Sequence, residues 1–442
     1  MINVAAVRKR IIQLRENNGF VRVFAGGIVN QILLSGASFL TGLLLIRGTN
    51  ETQYGYYVLI MATVPLLAQL QAAFLQPPLT STVTHAGETE RRNYIGGLFH
   101  GQRRILLGAA VAAVGACVIA RLSSWLTSDE FFIAVSSVLA TAAWLFRDFF
   151  RMALISYRRP FDVLRADSIY AVLLVAGAYV ATFSRSAATL AALSIAGASV
   201  LGGAMLYRML WRHDPWASHG DPDALARSVR IGTWAAVGAG IHWTFNQGYN
   251  YVLAASLDVS ALAATSATRL TLMPIGLFSL GISGLMFPTA SLWLKEHGRS
   301  GLLKRLLAFS LAMACLTIVY IAILWNIRDW VFVHVMRRDF PQRDLLLKIW
   351  SLTFLSTIVR DQLIYFLIVQ NRFKLLAGLT FLCALIGVSV SYIAIRYIGP
   401  AGGPLGLMAG EFSHVIGIML LTTRDVAASP LRDHQRRGVP AA

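Results

Sequence analysis

Of the 442 residues, 56% are apolar and only 14% charged, against the roughly 25% charge typical of a soluble globular chain. That balance excludes a water-soluble enzyme as the whole molecule and makes lipid the solvent for most of the chain. The net charge of +18 invites a nucleic-acid reading, but the longest connection between apolar runs, near Leu210 to Arg230, is short and mixes acids with bases, so no nucleic acid is expected as a partner.

Twelve runs have the length of a spanning helix, about 20 mostly apolar residues. In chain order they cover residues 23–46, 56–84, 104–120, 131–157, 166–184, 187–209, 231–256, 261–292, 303–326, 345–370, 375–396 and 400–422. Runs this long are about twice what a barrel strand needs, and a helix satisfies its own backbone hydrogen bonds in hydrocarbon. The expected fold is therefore all-α. The first run, Val23 to Ile46, exceeds a signal-peptide core and leads directly into another span, so it is expected to stay in the mature chain. Cys117, Cys315 and Cys383 all fall inside spans without close spacing, which suggests neither a disulfide framework nor a metal site, and nothing calls for a cofactor.

Placing the N-terminus in the cytoplasm puts 26 of the 39 Lys and Arg in cytoplasmic segments and nine in external loops, with Arg147, Arg151, Arg269 and Arg360 left inside spans. The asymmetry follows the positive-inside rule and predicts both termini cytoplasmic. One loop runs against it: Asn326 to Asp344, on the expected external side, carries Arg328, Arg337, Arg338 and Arg343.

A shift of 213 positions aligns spans four and five with spans ten and eleven without a gap. Arg147-Asp148 falls on Arg360-Asp361, Arg159 on Arg372, and nine of the 35 positions from 147 to 181 are identical. Six spans return the chain to its starting side, so the copies are expected to be parallel six-helix lobes facing a central cavity. The expected organisation is a cytoplasmic segment 1–22, an N-lobe 23–212, a cytoplasmic connection 213–230, a C-lobe 231–422 and a cytoplasmic tail 423–442.

An ion at the bilayer centre costs about 2.5–3.5 kcal/mol even on lenient scales, so the residues inside spans that bear charge are candidates for function. Arg147, Arg151, Arg269 and Arg360 read either as a cationic wall for an anionic cargo or as arginines that pair with acids and lock lobe to lobe. Counting these four against Asp148, Asp361 and Glu411 leaves a cationic excess. Span seven sets His242, Asn246 and Asn250 at i, i+4, i+8 spacing, and Asn30 and Gln69 lie in spans one and two. These read as a hydrated wall for sugar hydroxyls or as interhelical polar contacts. Asp148, Asp361, Glu411 and His414 are the candidates for ion coupling, with Glu411 and His414 at i, i+3 in the last span.

The turn Gly48-Thr-Asn-Glu-Thr-Gln-Tyr-Gly-Tyr-Tyr57 and the opening of the last span, Gly399-Pro-Ala-Gly-Gly-Pro-Leu-Gly406 with Glu411 following, resemble segments of the polysaccharide transporter branch of the multidrug/oligosaccharidyl-lipid/polysaccharide flippase superfamily, the Wzx-like proteins. Length, span number and near-absence of loops are similar over the whole chain, although the loop between spans nine and ten is longer and more basic. The resemblance implies a non-enzymatic flippase that carries a polyprenyl-pyrophosphate-linked oligosaccharide from the inner to the outer leaflet of a bacterial inner membrane, by alternating access, for polysaccharide export. It implies membrane lipids and polysaccharide polymerase and co-polymerase proteins as partners. Two other classes stay open: a multidrug-type cation or metabolite antiporter, which needs acids facing its cargo, and a membrane-embedded glycan polymerase or transferase, which usually carries a larger external loop.

Overall fold

The computed structural model describes residues 4–217 and 220–427, with side chains from Gly26 onward except those of 280, 281 and 283–285. The expected tail beyond residue 427 and the side chains of Arg8, Lys9, Arg10, Arg15 and Arg22 lie outside the described residues. Twelve α-helices follow in order: α1 (Val4–Gly48), α2 (Glu51–His85), α3 (Glu88–Leu122), α4 (Ser128–Ser156), α5 (Pro160–Ala181), α6 (Ala187–His213), α7 (Ala224–Ser256), α8 (Ala261–Trp330), α9 (Arg343–Leu363), α10 (Tyr365–Ile368), α11 (Phe373–Ile398) and α12 (Gly402–Ala427). No strand occurs among the described residues.

Among the described residues ten stretches are long and apolar enough to cross a membrane, and α7, which carries the expected span 231–256 with its polar stripe, is not one of them. Two of them, Met286–Met336 and Phe373–Val426, each exceed the length of one crossing. The protein is an all-α, multi-pass membrane protein. Its surface agrees: Trp234, Val111 and Leu122 stand exposed at 84%, 73% and 80%, where lipid is the natural cover.

The helix boundaries have local causes. Thr127 and Glu130 close a reciprocal capping box at the start of α4, and Pro160 opens α5 with the preset φ that a first helical turn needs. The expected spans eight and nine lie on one element, α8, broken at Gly298, whose φ of 64° and ψ of −169° are not helical. Residues 4–22 of the expected N-terminal segment are helical and continuous with the first span in α1.

The 213-residue shift recurs in backbone geometry. Arg158 and Asn371, that distance apart, both have φ of 56°. After α4, Arg158 N–H donates to the Ile155 carbonyl (2.8 Å) and Arg159 N–H to that of Leu154 (3.0 Å). After α10, Asn371 N–H donates to Ile368 (2.9 Å) and Arg372 N–H to Leu367 (3.0 Å). The two turns use one left-handed residue and the same pair of bonds, a helix C-cap repeated in register.

The helices gather into two compact units, Met1–Thr49 with Ile60–Ala239, and Asn50–Leu59 with Gly240–Ala442. In the first, α4 packs chiefly on α6, and α5 on α1 and α6, around Phe149, Phe150, Leu154, Leu206 and Trp216. In the second, α11 packs on α12, α8 on α9, and α9 on α12. The start of α2 belongs to the second unit: Tyr54 and Tyr57 are buried, and a β-carbon at Gly55 would come within 2.0 Å of the Val259 carbonyl oxygen. Gly55 is thus a close-packing position inside a helix and forms no part of the tight turn expected there.

Within the first unit, Pro77 and Pro78 in α2 supply no N–H to the carbonyls of Ala73 and Phe74 four residues earlier. Gly232 of α7 sits against that opening, where a β-carbon would lie 2.5 Å from Phe74 Cα and 2.6 Å from the Ala73 oxygen. The connection after α6 is also docked. Asp214 accepts from Arg91 Nε, Arg92 Nε and Tyr157 Oη, each at 2.6 Å. Burial pushes its carboxyl upward, but the hydrogen bonds from Tyr157, Arg92 and Arg91 outweigh it and hold the group below the usual carboxylate range.

Two outcomes follow. Gly232→Val drives a side chain into the α2 backbone and should cost at least the roughly 1–3 kcal/mol of overpacking. It should appear as a lower thermal midpoint of the purified protein, and an unchanged midpoint would contradict the close approach. Because the Asp214 carboxyl is depressed, its stabilisation is present above about pH 4 and drains away as pH falls through the lowered value. The wild-type midpoint should fall on acidification below about pH 4, and Asp214→Asn should start lower at neutral pH and lose less over that step.

Candidate functional site

Each unit holds one cluster of ionic groups within its helices. In the first, Asp167 of α5 is fully buried and gathers three donors. Arg147 of α4 pairs with its Oδ1, Arg151 Nε donates to Oδ2 at 3.0 Å, and Asn30 of α1 donates to Oδ2 at 2.7 Å. The Arg147 guanidinium also lies over the Tyr170 ring, 3.6 Å from its centroid, a geometry in which the ring face attracts the cation. Arg147 is only 2% exposed. Asp148, its neighbour in sequence, turns elsewhere and reaches Arg151 at 3.8 Å.

Asp167 is the residue that the sequence reading missed. It lies inside span five, so four acids, not three, face the four arginines, and the cationic excess inferred from the spans disappears. The signal was available as an acid in an apolar run twenty residues from Arg147. Asp148, adjacent on the same helix, reaches Arg151 and not Arg147.

In the second unit, Arg360 of α9 is 6% exposed and bridges two carboxylates. Its Nη1 donates to Glu411 Oε1 of α12 at 2.6 Å and its Nη2 to Asp361 Oδ1 at 2.8 Å. Ser279 of α8 donates to Asp361 Oδ2 at 3.4 Å. His414, one helical turn beyond Glu411, is buried edge-on to Phe245 with both ring nitrogens unpartnered. The structure therefore brings Arg360, Asp361, Glu411 and His414 together.

The span-seven stripe is divided. His242 is exposed, Asn246 donates to the His242 carbonyl at 2.8 Å, and Asn250 is buried and donates to Gln247 Oε1 at 2.8 Å. Arg269 belongs to that inner group, donating to Gln247 (3.4 Å) and Tyr249 (3.3 Å) beside the Trp350 ring. Gln69 is exposed on α2, and Asn30 is committed to Asp167. A second polar contact absent from the candidate residues joins Gln71 and Gln102, which both donate to the Leu145 carbonyl, at 2.9 and 3.2 Å.

The basic loop 326–344 carries its own counterions. Arg343 pairs with Asp329 (2.7 Å), Asp339 (3.2 Å) and Asp344 (3.1 Å), and Arg328 with Asp344 (3.4 Å). A count of Lys and Arg alone overstates its positive charge.

No protein-family model matches the sequence, and no curated protein is matched by it. Solved structures do share the fold. A multidrug resistance MATE family transporter of the MOP superfamily, in an inward-facing conformation, aligns with a TM-score of 0.73 over 90% of this chain and 95% of its own, at 12% identity. The lipid II flippase MurJ, inward closed, aligns at 0.72 over 91% and 87%, also at 12% identity. A MOP superfamily transporter from Pyrococcus furiosus aligns at 0.62 over 93% and 96%, again at 12%. The chain has the fold of these transporters.

The cluster geometry separates a structural pair from a free cationic wall. Removing one partner of a buried ion pair costs about 3–5 kcal/mol because the other is stranded. Arg147→Ala should lower folded yield and thermal midpoint by that order, and Arg147→Ala/Asp167→Asn should recover much of the loss. Arg147→Ala/Asp148→Ala should not recover it. A stable Arg147→Ala protein would show that Asp167 does not depend on this arginine.

Proposed function

We propose that this chain is a flippase that moves a polyprenyl-pyrophosphate-linked oligosaccharide from the inner to the outer leaflet of a bacterial inner membrane. One observation carries the choice of cargo. Among the described residues, the acids in the middle of the spans, Asp148, Asp167, Asp361 and Glu411, all meet an arginine of their own unit. An exporter of organic cations needs a carboxylate free of any cation to attract its cargo, and each of these has an arginine beside it, Asp361 and Glu411 sharing Arg360.

The same pairing removes Arg147 and Arg360 from the role of open anion ligands. What remains is a set of amides and hydroxyls suited to exchanging hydrogen bonds with sugars. The fold shared with a lipid II flippase supports a lipid-linked cargo, and the fold shared with a multidrug transporter keeps cation antiport as the competing reading. In the flippase reading the termini are cytoplasmic, the units alternate access, and the polymerase and co-polymerase of the pathway take the product. Ion coupling is assigned to Glu411 and His414, where two carboxylates share one arginine beside an unpartnered imidazole.

The test is reconstitution into proteoliposomes doped with lipid-linked glycan from the source cells, scoring glycan exposed to an external glycosidase. Wild type should expose it faster than protein-free vesicles. Ethidium efflux without glycan movement would overturn the flippase reading in favour of antiport. An imposed pH gradient should accelerate wild type and leave Glu411→Gln unaffected, and equal acceleration of both would remove Glu411 from coupling.

A further inference from the structure

The first unit contains a cavity of about 1060 Å³, lined by none of the residues of its ionic cluster and walled by the proline-bearing end of α2, the start of α3, the docked connection and the start of α7. Its volume stands at the top of the roughly 300–1,000 Å³ range of small-molecule sites, enough for more than one sugar ring. The proline pair Pro77-Pro78 forms one wall.

The opposite wall is preformed. Asp221 N–H donates to the Asn93 carbonyl at 3.0 Å and Ala217 N–H to that of Arg92 at 3.3 Å. The connection lies so close to α3 that β-carbons at Gly96 and Gly97 would come within 2.4 Å of the Ala217 oxygen and 2.0 Å of the Asp221 oxygen. Tyr94 Oη and Ser228 Oγ share a hydrogen bond at 2.6 Å that ties α7 to α3.

The lining mixes polar groups with Pro77, Pro78, Pro222 and Ile231, and its charge is mostly spoken for. Arg227 pairs with Asp221, whereas Ser81, Glu90 and Asn93 are exposed toward the space and their side chains have no ion pair or hydrogen bond among the described residues. One free carboxylate with the arginine already engaged disfavours a phosphate. Hydroxyls, an amide and a carboxylate that can accept from neighbouring diols suit a neutral, hydroxyl-rich group.

We infer that this cavity is a carbohydrate subsite that takes the glycan of the cargo and excludes its pyrophosphate. The assignment rests on the flippase reading and deepens it, by placing sugar recognition on the α2–α3–α7 end of one unit, away from the buried arginines.

The experiment uses the full chain with Cys117, Cys315 and Cys383 replaced by Ala and Ser81→Cys as reporter, reconstituted in proteoliposomes and labelled with a maleimide. Thr89→Cys serves as reporter if Ser81→Cys folds poorly. Lipid-linked glycan extracted from the source cells, at about ten times its Kd, should slow labelling roughly tenfold by occupancy. Polyprenyl pyrophosphate without sugar should not slow it. Asn93→Trp, which fills the space, should abolish protection, with the near-isosteric Glu90→Gln as a second variant expected to weaken it. Equal protection by sugar-free polyprenyl pyrophosphate, or none by the glycolipid, overturns the subsite. If wild type still exposes glycan in the flipping assay, the subsite alone has failed; if it neither flips glycan nor is protected by it, the flippase reading has failed as well.

Discussion

A charge in hydrocarbon must bring its counterion with it, and the interior of each unit is organised around that rule. Arg147 and Arg360 occupy equivalent positions in the repeat, and both are buried to within a few per cent. The acids that neutralise them come from different helices. In the first unit the partner is Asp167 of α5, reinforced by Asn30 of α1; in the second it is Glu411 of α12, with Asp361 beside it. The position equivalent to Asp167 is Thr380 and the position equivalent to Glu411 is Ala198. Each copy carries the arginine and neutralises it on a different neighbour.

That arrangement leaves the units chemically unequal. In the first cluster Asp167 accepts from three donors and the guanidinium of Arg147 is covered by Tyr170, while Asn30 Oδ1, Arg147 Nε and Tyr170 Oη have no hydrogen-bond partner among the described residues. The second sets two carboxylates on one arginine and leaves Glu411 Oε2 and both nitrogens of His414 without partners. Unsatisfied buried polar atoms are costly, and both clusters hold them, so the difference between the units lies in the ratio of acids to arginines. A sequence repeat alone would have suggested two equal halves.

The all-α class and most of the spans were legible because hydropathy over twenty residues is a property of the local chain; the expected span 231–256 is diluted by its polar stripe and is not among the membrane-capable stretches. The repeat was legible from Arg147-Asp148 and Arg360-Asp361, and its structural expression is the left-handed turn at Arg158 and Asn371. Pairing was not legible. Sequence adjacency offered Asp148 to Arg147 as it offered Asp361 to Arg360; the second pair forms, but the partner of Arg147 sits across a helix–helix contact. The stripe at His242, Asn246 and Asn250 failed for a related reason. Periodicity shows which residues share a face, and only packing shows that Asn250 is sealed in while His242 is open. The Gly55 contact with Val259 was equally out of reach, since it joins segments two hundred residues apart.

The location of the ion pairs bears on how such a molecule could move. Every pair in the two clusters joins residues of one unit. Had Arg147 and Arg360 locked one lobe to the other, each cycle would have to strand a buried charge, at about 3–5 kcal/mol for each pair broken. With the pairs internal, a rearrangement of one unit against the other need not separate them, and the barrier to motion carries no such term. The ion pairs are therefore fasteners within each bundle, and they place no electrostatic tie between the two clusters.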